Sequence, residues 1–219
     1  MMCKKFQFLN LLSIMALLII QKPGLCQDEW KLRSDKAGIS AFTRKLDNEK
    51  ILEYRVEAEM EGTVAAALQL MRNLDLYRKI FPYTSNQKII HQDSEDDFHL
   101  YLRIKTPFPA KDRDGTYHNI IDVNPDLTKA RIEVSMSDKG DHIKNNMVRL
   151  KNCYGFWEFT QLSKSRIEVI HQFYTDPEGT VPKWLINNFI IKNPIKSLEI
   201  MKNMIVQYPI DESYISSPN

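Results

Sequence analysis

Along most of the chain apolar and polar residues alternate with a period of two, the mark of half-buried strands, and in two stretches the period lengthens to between three and four, the mark of helices. Alternation starts at 39–44, breaks at the turn Asp47-Asn48 and resumes over 51–60, which predicts a hairpin. Ahead of it, 28–37 holds Trp30 and Leu32 among charges and fits either a short helix or an extended lead-in. Gly62-Thr63 then caps a segment in which Val64, Ala67, Leu68, Met71, Leu74 and Leu76 follow helical spacing until Pro82. Six more strands are predicted at 85–91, 98–105, 116–124, 130–137, 152–161 and 166–175, divided by polar turns. No long helical stretch separates these six, so parallel crossovers are excluded and a curved antiparallel sheet follows.

The second helical stretch closes the chain. Asp176, Pro177 and Gly179 stop a strand, Thr180 and Pro182 suit a helix entry, and Leu185, Phe189, Leu198, Met201 and Ile205 recur on one face of a segment reaching Tyr208. Pro194 lacks an N–H and crowds the carbonyl four residues back, which predicts a kink or a restart near Asn193. The fold class is therefore α+β, a curved antiparallel sheet wrapped around a long C-terminal helix. Such a helix either fills the concave side of the sheet or leaves a hollow there, and a hollow with apolar walls suits a lipid.

Charge and cysteine usage narrow the setting. Lys4 and Lys5, the short apolar run 8–20 and Gly24-Leu25-Cys26 predict a signal peptide over 1–26, cut after Cys26, and so a secreted or periplasmic protein. A lipidated Cys26 is the rival reading, disfavoured by the bulky Leu25 before it. Loss of Lys4, Lys5 and Lys22 takes the formal charge from +2 to −1, which argues against a nucleic-acid partner. Cys3 and Cys26 leave with the signal, so Cys153 has no partner for an internal disulfide and the core must hold the fold. One domain over 27–208 and a flexible tail over 209–219 complete the expected layout, and a monomer is expected.

Pro107-Phe108-Pro109-Ala110-Lys111-Asp112-Arg113-Asp114 is similar to the proline-rich turn ending in Arg-Asp that follows a middle strand in the START (steroidogenic-acute-regulatory-related lipid-transfer) family of the helix-grip superfamily. Arg149 followed by Gly155-Phe156-Trp157-Glu158-Phe159 resembles its arginine, glycine and aromatic strand, and 176–187 its Asp-x-x-Gly-x-x-Pro approach to the last helix. Trp30, Gly38-Ile39 and Arg44 fit as well, whereas Glu158 and Gln161 stand where many members carry apolar residues or a proline. The resemblance spans roughly 28–205 and implies a secreted, bacterial-type lipid-binding or lipid-transfer domain that touches membranes transiently and uses no cofactor.

Catalytic chemistry finds little purchase. His91, His99, His118, His142 and His171 show no ligand spacing, so no metal site is expected, and neither Gly-x-Ser-x-Gly nor a phosphate loop occurs. Cys153 reads as a small buried hydrophobe, the acidic run 93–97 as a solvated turn, and Arg113 and Asp114 as an ion pair with backbone bonds that fixes the sheet's bend. The expected wall of the hollow is Leu100, Leu102, Asn119, Ile121, Val134, Trp157, His171, Phe173, Leu185 and Phe189. Asn119 and His171 are the polar members. Leaving either unpaired costs ~1–3 kcal/mol, so each is satisfied by neighbours or meets the polar end of a guest. The competing readings are an enzyme on the same scaffold, a cyclase or hydrolase of hydrophobic substrates, and an interaction domain whose interior is filled solid.

Overall fold

One ten-stranded sheet dominates the structure, a computed structural model that describes residues 29–47, 49, 51–140 and 146–207. The expected signal segment and the tail from 209 lie outside the described residues. β1 (Lys31–Lys36), β2 (Ile39–Arg44) and β3 (Glu53–Glu61) are followed by α1 (Val64–Arg72) and α2 (Leu74–Ile80). Then come β4 (Thr84–Ser94), β5 (Asp97–Ile104), β6 (Arg113–Val123), β7 (Lys129–Met136), the two-residue β8 (Val148–Arg149), β9 (Cys153–Ser163) and β10 (Arg166–Thr175). The chain continues through α3 (Lys183–Asn187), a π-helical turn (Asn188–Lys192) and α4 (Asn193–Ile205). The strand order is β1-β2-β3-β10-β9-β7-β6-β5-β4, antiparallel throughout, with β8 alone pairing in parallel against β6. This is the expected α+β arrangement of a large antiparallel sheet with a C-terminal helix.

Local chemistry explains where the elements break. The extended reading of the segment before the hairpin is the right one over Lys31–Lys36: β1 pairs with β2 through Ala37 and Gly38, whose φ angles of 54° and 72° make a tight hairpin turn. As an exposed edge strand, β1 buries no face and carries no alternation to read. Asn73 divides the first helical stretch, since its N–H closes α1 on the Gln69 carbonyl while its side chain accepts from the Asp75 and Leu76 amides to open α2. Pro194 cannot donate to the carbonyl of Ile190, and the chain meets this with the wider π turn before α4 begins at Asn193, where the sequence predicts a restart.

Register then sets the inward side chains in rows across the sheet. One row, Ile39, Ala58, Val169, Phe159 and Ala130, is wholly buried against the apolar faces of α1 and α4, including Leu68, Leu198 and Met201. The next is Val56, His171, Trp157, Ile132 and Ile121, and the one after is Tyr54, Phe173, Gly155, Val134, Asn119 and Phe98. The first row belongs to a solid core. The other two border an open space.

Candidate ligand cavity

That space is a cavity of about 210 Å³. The sheet supplies its floor by the period-two rule: Phe98, Leu100, Leu102 and Ile104 from β5, Tyr117, Asn119 and Ile121 from β6, Ile132 and Val134 from β7. Trp157 and Cys153 from β9 and His171, Phe173 and Thr175 from β10 extend it. The C-terminal wall is a helical stripe, Ile186, Phe189, Ile190, Asn193, Pro194 and Ser197, at spacings of three, one, three, one and three. All the sequence-predicted wall residues line the cavity except Leu185. It is buried outside the cavity, because at about 100° per residue it lies just past the edge of the stripe, on the flank beyond Phe189.

Among the wall residues that escape a reading by strand alternation, two sets matter most. Met71, Leu74, Tyr77 and Phe81 close the cavity from α1 and α2, and their mutual spacing of three and four was the available signal. Arg113 is the other. It begins β6, is buried, and lines the cavity, while its guanidinium donates to the Pro177 carbonyl at 3.2 Å and to the Lys111 carbonyl. It thereby joins the loop before α3 to the loop between β5 and β6. Burial holds its pKa below the ordinary arginine value.

The expected pairing of Arg113 with Asp114 is corrected, since neighbours in a strand point to opposite faces. Asp114, 0 % exposed, instead takes two bonds from Arg149, Nε at 3.1 Å and Nη2 at 2.7 Å, and one from the Tyr101 hydroxyl at 3.0 Å. The pair pins β8 to β6.

His171 is the most constrained polar group of the wall. It is 6 % exposed, its ring stacks on Trp157 at a centroid distance of 3.6 Å, and Phe173 and Phe81 meet it edge-on at 4.7 and 6.4 Å. Nε2 lies 3.2 Å from the Tyr54 hydroxyl, and the buried Nδ1 has no hydrogen-bond partner among the described residues. Burial pushes the pKa of His171 well below the ordinary histidine value, so the ring is neutral at pH 7. Asn119 donates from Nδ2 to the Tyr117 carbonyl at 2.9 Å. Burial also raises Tyr54, Tyr77 and Tyr117 above ordinary phenols and lifts the Cys153 thiol to about 12. At neutral pH the wall presents a thiol and phenols, with no thiolate or phenolate among them.

The histidines are less scattered than their spacing suggests. His91, His99 and His118 meet on the opposite, outer face of the sheet, because strand pairing joins positions that share no sequence motif; His142 lies outside the described residues.

No protein-family profile matches the chain. A STAR-related lipid transfer protein from Xanthomonas axonopodis superposes with a TM-score of 0.73 at 22 % identity, covering 82 % of this chain and 100 % of that one. The fold is a START-type helix-grip. Human StAR-related lipid transfer protein 5 superposes with a TM-score of 0.70 at 16 % identity over 81 % of this chain and 86 % of its own. In sequence, the phosphatidylcholine transfer protein of Mus musculus is 26 % identical over 191 residues, 85 % of this chain and 86 % of the relative. An uncharacterised protein of Pseudomonas aeruginosa is 24 % identical over 181 residues, 80 % of this chain and 86 % of its own.

Proposed function

We propose that the chain encloses a lipid or comparable hydrophobic molecule in this cavity and transfers it between membranes. The observation that carries the reading is the hollow itself, walled by apolar side chains on a START-type scaffold whose mouse relative is named for phosphatidylcholine transfer. At about 210 Å³ it exceeds the ~150 Å³ at which an apolar cavity takes a benzene-sized guest. It falls short of the ~300–1,000 Å³ of common ligand pockets. A whole lipid therefore enters by widening the space, and the widened π turn beside Pro194 with the loop held by Arg113 supplies the movable wall. Each Å² of apolar guest surface removed from water contributes ~25 cal/mol.

His171 and Asn119 are the groups we assign to the polar end of the guest, His171 because Nδ1 is left unpaired and a shift of Trp157 or Phe81 would expose it. A carrier fits the wall better than an enzyme does, since its thiol and phenols are held protonated and its histidine has no carboxylate partner among the described residues. Export through the segment 1–26, action as a monomer and transient membrane contact belong to the same reading; exposed Phe108 and Trp184 support the last.

The test is mass spectrometry of lipid extracted from protein purified without detergent, paired with transfer of fluorescent phosphatidylcholine between vesicles. Bound lipid and accelerated transfer are expected; protein that is empty and inert in both assays refutes the reading. The double variant His171→Leu, Asn119→Leu should alter headgroup preference, and unchanged affinity and preference would remove those two residues from the site.

A further inference from the structure

The outer face of the sheet carries a row of imidazoles. β4, β5 and β6 are neighbours, and their register sets His91 opposite His99 and His99 opposite His118. The rings of His99 and His118 lie 4.2 Å apart and 9° from parallel, with His91 5.4 Å from His99. Each ring has one nitrogen against an oxygen. His118 Nε2 is 2.6 Å from Asp97 Oδ1, His99 Nδ1 is 2.8 Å from Ser137 Oγ, and His91 Nε2 is 3.1 Å from Asp93 Oδ1.

One donor atom from each of Asp97, His99 and His118 lies within 4.8 Å of the other two. The place is enclosed as well as crowded. His99 is buried although it faces outward, and the turn after β7 reaches it through Ser137. Charged imidazoles side by side on adjacent strands repel, whereas neutral ones beside a carboxylate present the nitrogen and oxygen donors that a borderline-soft cation prefers.

We propose that Asp97, His99 and His118 form a binding site for a divalent transition-metal ion of the zinc class. Three protein donors leave a position for water, and His91 borders the site from the edge strand β4. Metal bonds of ~2.0–2.2 Å place tetrahedral donors ~3.4 Å apart. The side chains close to that separation by rotating on a fixed strand pair. Ser137 orients His99: with Nδ1–H donating to the hydroxyl, Nε2 keeps its lone pair for the ion. The ion would bind the folded sheet and not the unfolded chain, tying β5 to β6 near the sheet's edge. The site is separated from the cavity by the sheet, so it stands or falls independently of lipid binding.

Calorimetric titration of the purified protein with Zn²⁺, and thermal unfolding with Zn²⁺ or Mg²⁺, test the assignment. The expected result is one Zn²⁺ per chain, a Tm raised by Zn²⁺ and unmoved by Mg²⁺, and affinity lowered more than about tenfold in His118→Gln. That side chain is partly exposed, so the variant should fold and take up lipid like the parent. Ser137→Ala should weaken Zn²⁺ by ~10-fold through loss of orientation. A dissociation constant weaker than about 1 mM, or Zn²⁺ affinity unchanged in both His118→Gln and Asp97→Asn, overturns the proposal.

Discussion

His171 ties the chemistry of the cavity to stability. In the unfolded chain a histidine takes up a proton near pH 6.5, whereas burial among Trp157, Phe173 and Phe81 lets the folded ring do so only well below that. The stability that comes from this difference is complete above pH 6.5 and is lost as pH falls towards the folded value, at up to ~1.4 kcal/mol per pH unit. Urea unfolding of His171→Asn should therefore show a flatter dependence on pH between 6.5 and 5 than the parent, by up to about one proton. Equal slopes would mean that the ring titrates normally when folded. The inward position of His171 was legible from its place between Val169 and Phe173, but its contacts with Trp157 and Tyr54 were not. They depend on which strands pair and in which register, and alternation within one strand carries no information about its neighbour.

At the scale of the element, β9 shows what a missing side chain does. Gly155 shares a row with Phe173, and a Cβ there would fall on the Gln172 carbonyl and lie 2.7 Å from Phe173 Cα. Both obstacles are backbone or ring, so the pair can widen only by distorting the sheet. Gly155→Ala is expected to destabilise the fold by ~2–3 kcal/mol or more, measured by urea unfolding. A change within ~0.5 kcal/mol would show that the two strands separate more easily than their packing implies. Strong local signals made β5, β7, β9, β10 and the restart at Asn193 readable. β1 lacked one, because an edge strand buries neither face. Arg113 and Asp114 read as the end of a turn, yet they open β6, and pairing with β5 on one side and β8 on the other decides that.

At the scale of the whole molecule, Phe108 is 92 % exposed in the loop between β5 and β6, and Trp184 is 47 % exposed at the start of α3; Arg113 bonds to carbonyls in the loops leading to both. Large apolar groups on such linked loops suit a surface that dips into a bilayer interface. Phe108→Ser with Trp184→Ser should slow lipid transfer between vesicles severalfold while leaving the amount of bound lipid at equilibrium unchanged. Transfer at the parental rate would place the membrane contact elsewhere. The sequence could pose the interior only as a choice between filled and hollow, because volume is the small difference between the space that elements enclose and the side chains that occupy it.

Both answers hold, in different halves of the same strands. Phe159 and Val169 belong to the solid row under α1 and α4, while Cys153, at the start of β9, and Thr175, at the end of β10, border the cavity. Rigidity must therefore fall off along each of these strands rather than from one strand to the next. A guest can loosen the hollow half and leave the foundation undisturbed, so the work of letting a molecule in is uncoupled from the work of taking the protein apart.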